Sequence, residues 1–203
     1  MSAPVKRLSR AERQDLTRAA LLDAAIHLFI ERGIDATSIE EVTAYAGFTR
    51  GAFYSNFASK DELVIEAGRR FLENLHAAAL PVGRVPEEPG NAYKERVERL
   101  RPVAEGGPDI FLAEFTLYAI RHPEIADATA QLHRRQLQPA VEFVKTQLQA
   151  SGVKKPAGVS YETLANIVQC LTFATVFFGR IDAPVAAERS VEIATRALFN
   201  GLK

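Results

Sequence analysis

Residues Thr37 to Phe57 read TSIEEVTAYAGFTRGAFYSNF, and the punctuation of this stretch decides the fold. Thr37 and Ser38 each stand three residues before a glutamate, Glu40 and Glu41. That is the capping-box spacing, in which a hydroxyl takes an orphan backbone N–H and the glutamate reaches back. A helix therefore starts here, with its N-cap at one residue or the other. Gly47 arrives within about three turns and closes it. Thr49 then opens a third helix, Arg50 to about Phe57, after the tight break Ala46-Gly47-Phe48-Thr49. Two short helices joined through a glycine turn make a helix-turn-helix. Ile39, Val42, Ala46 and Phe48 supply apolar side chains that hold the two helices together. The later helix presents Thr49, Arg50, Gly51 and Tyr54 near its N-terminal half, where such helices contact base edges. An arginine binds guanine O6 and N7 bidentately, a contact worth roughly 1–3 kcal/mol of discrimination. Gly51 permits close backbone approach to a duplex, and Tyr54, Asn56 and Lys60 are natural phosphate donors that fix register.

Working outward, Ser9-Arg10-Ala11-Glu12 is another capping box. Leu21, Ala24, Ala25, Leu28 and Phe29 then follow the rhythm of one helix face, and Gly33 supplies a left-handed closing residue. On the other side, Ser59-Lys60-Asp61-Glu62 launches a long helix through about Leu80, which Pro81 ends. Residues 81–90 (PVGRVPEEPG) hold three prolines and two glycines and read as a loop. Beyond it the spacing predicts helices at about 91–105, 109–121, 124–150, 160–180 and 185–202. No segment alternates like a strand. The expected fold is all-α, about nine helices: a DNA-binding domain over 9–65 with its connector helix continuing to about 80, and a helical bundle over 81–203.

Composition bounds the function. The 203 residues are 47% hydrophobic and 25% charged, as in an ordinary globular chain. Formal charge is zero, which argues against a protein that coats nucleic acid over its whole surface. Basic residues gather instead at the N-terminus: residues 1–18 hold Lys6, Arg7, Arg10, Arg13 and Arg18 against Glu12 and Asp15. This arm is either a solvated tail or a further DNA contact. The start MSAPVKRLSRAERQ lacks a secretory apolar run, and Cys170 to Phe178 is too short to span a bilayer. A soluble cytoplasmic protein without membrane contact is expected. The single cysteine, Cys170, excludes an intramolecular disulfide and is expected to be an inert buried thiol.

The sequence resembles the tetracycline-repressor (TetR) family over about residues 18–65. The resemblance rests on Leu28-Phe29, Arg32-Gly33, Thr37-Ser38, Ala44, Ala46-Gly47, Gly51, Tyr54, Phe57, Ser59-Lys60 and Leu63, at the family's spacing. It implies phosphate contacts from Thr37, Ser38, Thr49, Tyr54 and Lys60, and base-edge contacts from Arg50, Gly51, Tyr45 and Phe53. Asn56 stands where the family often has histidine; its amide can still donate to a phosphate.

In the body, aromatic side chains recur at helical spacings. They read either as plain core or, collectively, as the wall of an apolar pocket. Pocket candidates are Phe111, Glu114, Phe115, Tyr118, Phe143, Gln169, Phe173 and Phe177. The last two helices carry wide apolar stripes, with Leu164, Val168, Leu171 and Thr175 on one and Val191, Ala194 and Leu198 on the other. Such helices can pair with symmetry mates into a four-helix interface, as the resemblance implies, or merely finish the intrachain core. His27, His76, His122 and His133 show no His-Glu motif at metal spacing, and no nucleophile–base pair is evident; Glu114 with His122 and His133 could assemble a metal site but read better as helix-surface residues. No catalytic residue, metal or cofactor is expected, and the chain is not read as an enzyme. The reading that follows is a homodimeric repressor on a palindromic double-stranded operator, released by a small apolar or aromatic effector. The rivals are an activator or protein-responsive regulator, and a helical enzyme with a similar N-terminal bundle.

Overall fold

A computed structural model of the chain describes residues 9–79 and 107–178. Among these residues the structure is all-helical. It comprises α1 (Arg10–Arg32), α2 (Ile39–Ala46), α3 (Arg50–Tyr54), α4 (Lys60–Ala79), α5 (Pro108–Arg121), a 3-10 turn (Pro123–Ile125), α6 (Ala126–Ser151) and α7 (Tyr161–Phe178). The helices expected at 91–105 and 185–202 lie outside the described residues. No described helix is long and apolar enough to cross a membrane.

Local chemistry accounts for the helix ends. Ser9 and Glu12 form the reciprocal box that starts α1. At α2 the N-cap is Ser38: its hydroxyl accepts from the Glu41 N–H and the Glu41 carboxylate accepts from the Ser38 N–H. Thr37 is buried instead, its hydroxyl donating to the Gly33 carbonyl at 2.8 Å. Gly47 closes α2 in the left-handed region (φ 74°, ψ 28°), and Thr49 caps α3 by accepting from the Ala52 N–H. Gly33 closes α1 at φ 88° and ψ 156°. That is not the left-handed helical conformation expected but an extended positive-φ one open essentially to glycine alone. Ser59 accepts from the Glu62 N–H at 3.2 Å, while Glu62 reaches past it to the Ala58 N–H at 2.7 Å.

The chain divides into two compact units. The described part of the first is 9–70 with 110–126; that of the second is 71–79, 107–109 and 127–178. The division does not follow chain order, because most of α5 groups with the N-terminal helices. The core of the first unit joins Leu21, Leu22, Ala25, Leu28 and Phe29 of α1 to Ile34, Val42, Phe53, Phe57, Leu63 and Val64, all buried. Burying one such Leu, Val or Phe side chain contributes roughly 1.5–3 kcal/mol. α5 completes this core. Phe111 stacks between Phe29 and Phe115, with ring centroids 6.4 and 6.1 Å away. Phe115 lies over Gly68 so closely that an added Cβ would stand 2.5 Å from its ring.

In the second unit, the short link from Gly152 to Ser160 folds α7 back onto α6. Leu137, Ala140, Val141, Phe143, Val144 and Leu148 bury against Leu164, Ala165 and Val168, with Val153, Val159 and Tyr161 packed around them. This corrects two expected dimer residues. Leu164 (5% exposed) and Val168 (2%) face the intrachain core, because the α6 stripe opposite them is as apolar as their own. Leu171 is half-buried; Val191, Ala194 and Leu198 and the Thr175 side chain lie outside the described residues. Cys170, expected to be buried, is exposed. It sits two residues beyond Val168, on the side of α7 turned from that core.

Candidate nucleic-acid interface

The glycine turn sets the site. Gly47 reverses the chain, the Phe48 N–H bonds to the Thr43 carbonyl at 2.8 Å, and α3 leaves the turn with its first residues in solvent. Thr49, Arg50, Gly51 and Tyr54 are all exposed, as is Tyr45 on α2. An added Cβ on Gly51 would meet nothing nearer than 3.7 Å, so the backbone there is open on its outer side. On the opposite side of α3, Phe53 and Phe57 point inward with ring centroids 5.6 Å apart. α3 is thus a short two-faced helix, anchored by its aromatics and displaying a threonine, an arginine, a glycine and a tyrosine.

Two residues expected to contact DNA do not display their side chains. Phe53 is completely buried, because it falls on the core face of α3 and packs against Phe57 just beyond the helix. Thr37 is buried by its bond back to Gly33. Ser38 is half-buried, its hydroxyl held in the cap and donating to Glu41 at 2.8 Å. Asn56 turns its amide onto the Ala52 carbonyl at 2.8 Å, and its backbone carbonyl takes a hydrogen bond from Arg18. The Arg18 guanidinium lies 4.2 Å over the Phe57 ring and pairs with Glu66 at 3.2 Å, clamping the end of α3 to α1 and α4.

Arg50 is the most prepared of the exposed side chains. Its Nη1 meets Glu40 Oε1 at 2.7 Å, and its Nη2 donates to the Tyr54 hydroxyl at 3.3 Å. The hydrogen bond to Tyr54, then the charge of Glu40, push its already high pKa further up. Tyr45 stacks on His27 of α1, centroids 4.9 Å apart. Lys60 is half-buried at the start of α4, its ammonium donating to the Asp35 carbonyl at 3.3 Å and lying 5.8 Å over the Tyr118 ring. Burial lowers its pKa, against the opposing pull of Asp35 and Asp61.

Several expected pocket residues have another task. Glu114 accepts from the Ile34 N–H at 3.1 Å, beside Gly33. Phe111 and Phe115 are buried in the core of the first unit, and Tyr118 donates to Asp61 Oδ1 at 2.6 Å. These four tie α5 to α1, to the turn that follows it and to α4, which their spacing alone did not reveal. Phe143 is buried in the α6–α7 core and Gln169 is half-buried; the side chains of Phe173 and Phe177 lie outside the described residues. The sequence reading missed a polar cluster around Asp35. Its carboxylate meets Arg121 and His122, each at 3.1 Å, and His122 also meets Glu124 at 3.0 Å. Asp61, His122 and Glu124 come close enough together to hold a cation, but hydrogen bonds with neighbouring side chains already engage all three.

Comparisons with known proteins match this geometry. Residues 21–67 fit the model of the bacterial regulatory proteins of the tetR family. The chain is 28% identical over 128 residues to the HTH-type transcriptional repressor KstR2 of Mycobacterium tuberculosis, a match covering 63% of this chain and 57% of that one. It thus spans less than two thirds of that relative's length. A transcriptional regulator from Rhodococcus sp. Rha1 superposes with a TM-score of 0.70 at 23% identity, over 91% of this chain and 96% of the other. FadR of Bacillus subtilis, solved in complex with stearoyl-CoA, does so with a TM-score of 0.65 at 17% identity, over 91% and 99%. At these identities the two structures speak to the fold.

Proposed function

We propose, from the premise that this chain belongs through its N-terminal helices to the tetR family of bacterial regulatory proteins, that it is a sequence-specific, DNA-binding transcriptional repressor. The observation that carries the reading is the exposed Thr49-Arg50-Gly51 at the start of a helix whose other face is locked into the core. α3 enters the major groove with Arg50 at a guanine edge and Gly51 allowing the backbone close. Thr49, Tyr54 and Lys60 take phosphates and set the register. Tyr45, exposed on α2, lies along the neighbouring backbone. Thr37, Ser38 and Asn56 act from within, by shaping the turns. The repressor works in the cytoplasm as a homodimer on a palindrome, because two heads related by a two-fold axis read two half-sites.

A small apolar effector bound in the body releases the operator. The KstR2 relative is named a repressor, and the FadR structure holds a long-chain acyl thioester. Release is a coupling between two binding sites of typically about 1–3 kcal/mol. The test is selection from fragmented genomic DNA of the source organism with purified full-length protein. Enrichment of a short palindrome that an effector then dissociates supports the reading. A protein that enriches no sequence even at low salt, where phosphate contacts are strongest, overturns it.

A further inference from the structure

Glu40 and Glu41 are neighbours at the start of α2 with separate partners. Glu41 belongs to the cap: one oxygen takes the Ser38 N–H and hydroxyl, both at 2.8 Å, and the other takes Arg32 at 3.0 Å. The Glu40 side chain has no part in that cap, is 59% exposed, and extends to Arg50 at 2.7 Å. Arg50 in turn reaches the exposed Tyr54. The arginine best placed to read a base is thus held, on the outer face of the helix-turn-helix, by a carboxylate from the preceding helix.

A glutamate on a surface that meets DNA is opposed by every phosphate, so affinity does not explain it; its place in the first turn of α2 favours the helix start but does not require the reach to Arg50. The carboxylate discriminates among base edges, however. In the major groove guanine offers O6 and N7 and thymine O4, all acceptors that a carboxylate repels; cytosine offers the N4 amino group, a donor that it accepts. The gap between the two side-chain tips is shorter than the roughly 3.4 Å rise from one base to the next. The pair therefore fits adjacent positions of one half-site.

We propose that Glu40 is a specificity-determining residue. When Arg50 turns to a guanine, the Glu40 carboxylate accepts a hydrogen bond from a cytosine within one base step. The inference rests on the DNA-binding reading above. Because both side chains are exposed, the pair is weak and opens readily when a guanine edge is offered. On a wrong sequence Arg50 gains no such edge, and the carboxylate remains beside acceptors or phosphates. Specificity then comes from a repulsive element as well as an attractive one.

The experiment selects binding sites from a randomised duplex library with full-length wild type, Glu40→Gln and Arg50→Ala. Affinities for the selected site and for a scrambled duplex are then measured by fluorescence anisotropy. Arg50→Ala locates the guanine. The expected result is that Glu40→Gln loses the adjacent cytosine preference and moves toward adenine, which a glutamine side chain pairs with bidentately. It also binds the scrambled duplex more tightly, so that discrimination falls on the order of tenfold. Wild type and Glu40→Gln selecting the same motif with the same discrimination would overturn this inference alone. A wild type that selects nothing overturns the DNA-binding reading and this inference with it.

Discussion

The phenol of Tyr118 on α5 donates a 2.6 Å hydrogen bond to the carboxylate of Asp61 in the first turn of α4, 57 residues earlier in the chain. Burial, then the hydrogen bond to Asp61, push the Tyr118 hydroxyl up in pKa, so it stays a donor through the physiological range. Replacing it by phenylalanine keeps the ring and leaves Asp61 without this partner. Tyr118→Phe is expected to lower stability by about 1–2 kcal/mol, read as a drop in the urea midpoint at unchanged slope.

Gly68 and Phe115 give a steric counterpart. An added Cβ would press on the buried ring at 2.5 Å, with no flexible chain end to give way. Gly68→Ala should cost roughly 1–3 kcal/mol through overpacking, despite the better helix propensity of alanine. The double variant Gly68→Ala/Phe115→Leu should recover part of that loss. A single variant as stable as wild type contradicts the packing described.

Gly33→Ala tests backbone rather than packing. At φ 88° and ψ 156° only glycine is at ease, and a Cβ would meet the Glu114 carboxylate at 2.9 Å. Strain of this kind costs on the order of 1–3 kcal/mol. Thermal melting of Gly33→Ala beside Glu114→Ala and the double variant separates the two contributions. If the carboxylate contact matters, the double variant is less destabilised than the sum of the singles.

His122 makes the first unit respond to pH. Its Nδ1 and Nε2 each face a carboxylate, Glu124 and Asp35, and only the imidazolium can donate to both. The hydrogen bond to Glu124, then that to Asp35, raise its pKa above the ordinary 6.5. His122, then Arg121, hold Asp35 below its ordinary 3.8. The histidine contribution is therefore fully present below pH 6.5 and is lost as pH rises through the raised value. The aspartate contribution is present above pH 3.8 and fades only as pH falls through its lowered one. Between those limits wild type should exceed His122→Ala in denaturation midpoint, with the gap closing on the alkaline side. A gap constant from pH 5 to 9 contradicts the doubly donating imidazolium.

For the interface itself, Arg50→Ala should relax sequence preference at one guanine, while Lys60→Ala should weaken binding to all duplexes alike. The slope of log affinity against log salt should fall by about one for Lys60→Ala. Titrations of a selected and a scrambled duplex at several salt concentrations distinguish the two.

Much of the helix-turn-helix was legible because its determinants are local. The Ser9 box, the Gly47 turn and the apolar rhythm of α1 each act within four residues and stand where the spacing put them, whereas Gly33 closes α1 in an extended conformation and Glu62 reaches Ala58 rather than Ser59. The choice between Thr37 and Ser38 was not legible, since it depends on Thr37 bonding back to Gly33 while Ser38 faces the box. The inward turn of Phe53 did have a signal: it stands at i, i+4 spacing with Phe57 and across the helix from Gly51. What sequence could not reveal are pairings across dozens of residues. Glu114 with Ile34 and Phe115 with Gly68 looked like pocket residues because an aromatic or acidic side chain on a helix does not announce its partner. Leu164 and Val168 failed for the same reason, as an apolar stripe reads alike whether its partner is α6 or a second subunit.

The place of α5 in the first unit also bears on how the protein is made. A ribosome adds about 5–20 residues per second, N-terminus first. α1 to α3 and the start of α4 are therefore exposed to the cell before Phe111 and Phe115 have been synthesised. During that interval Phe29 lacks its stacking partner and the groove at Gly68 stands open. The nascent head is an unfinished template, its last apolar surface covered only once a segment encoded some forty residues after Gly68 emerges.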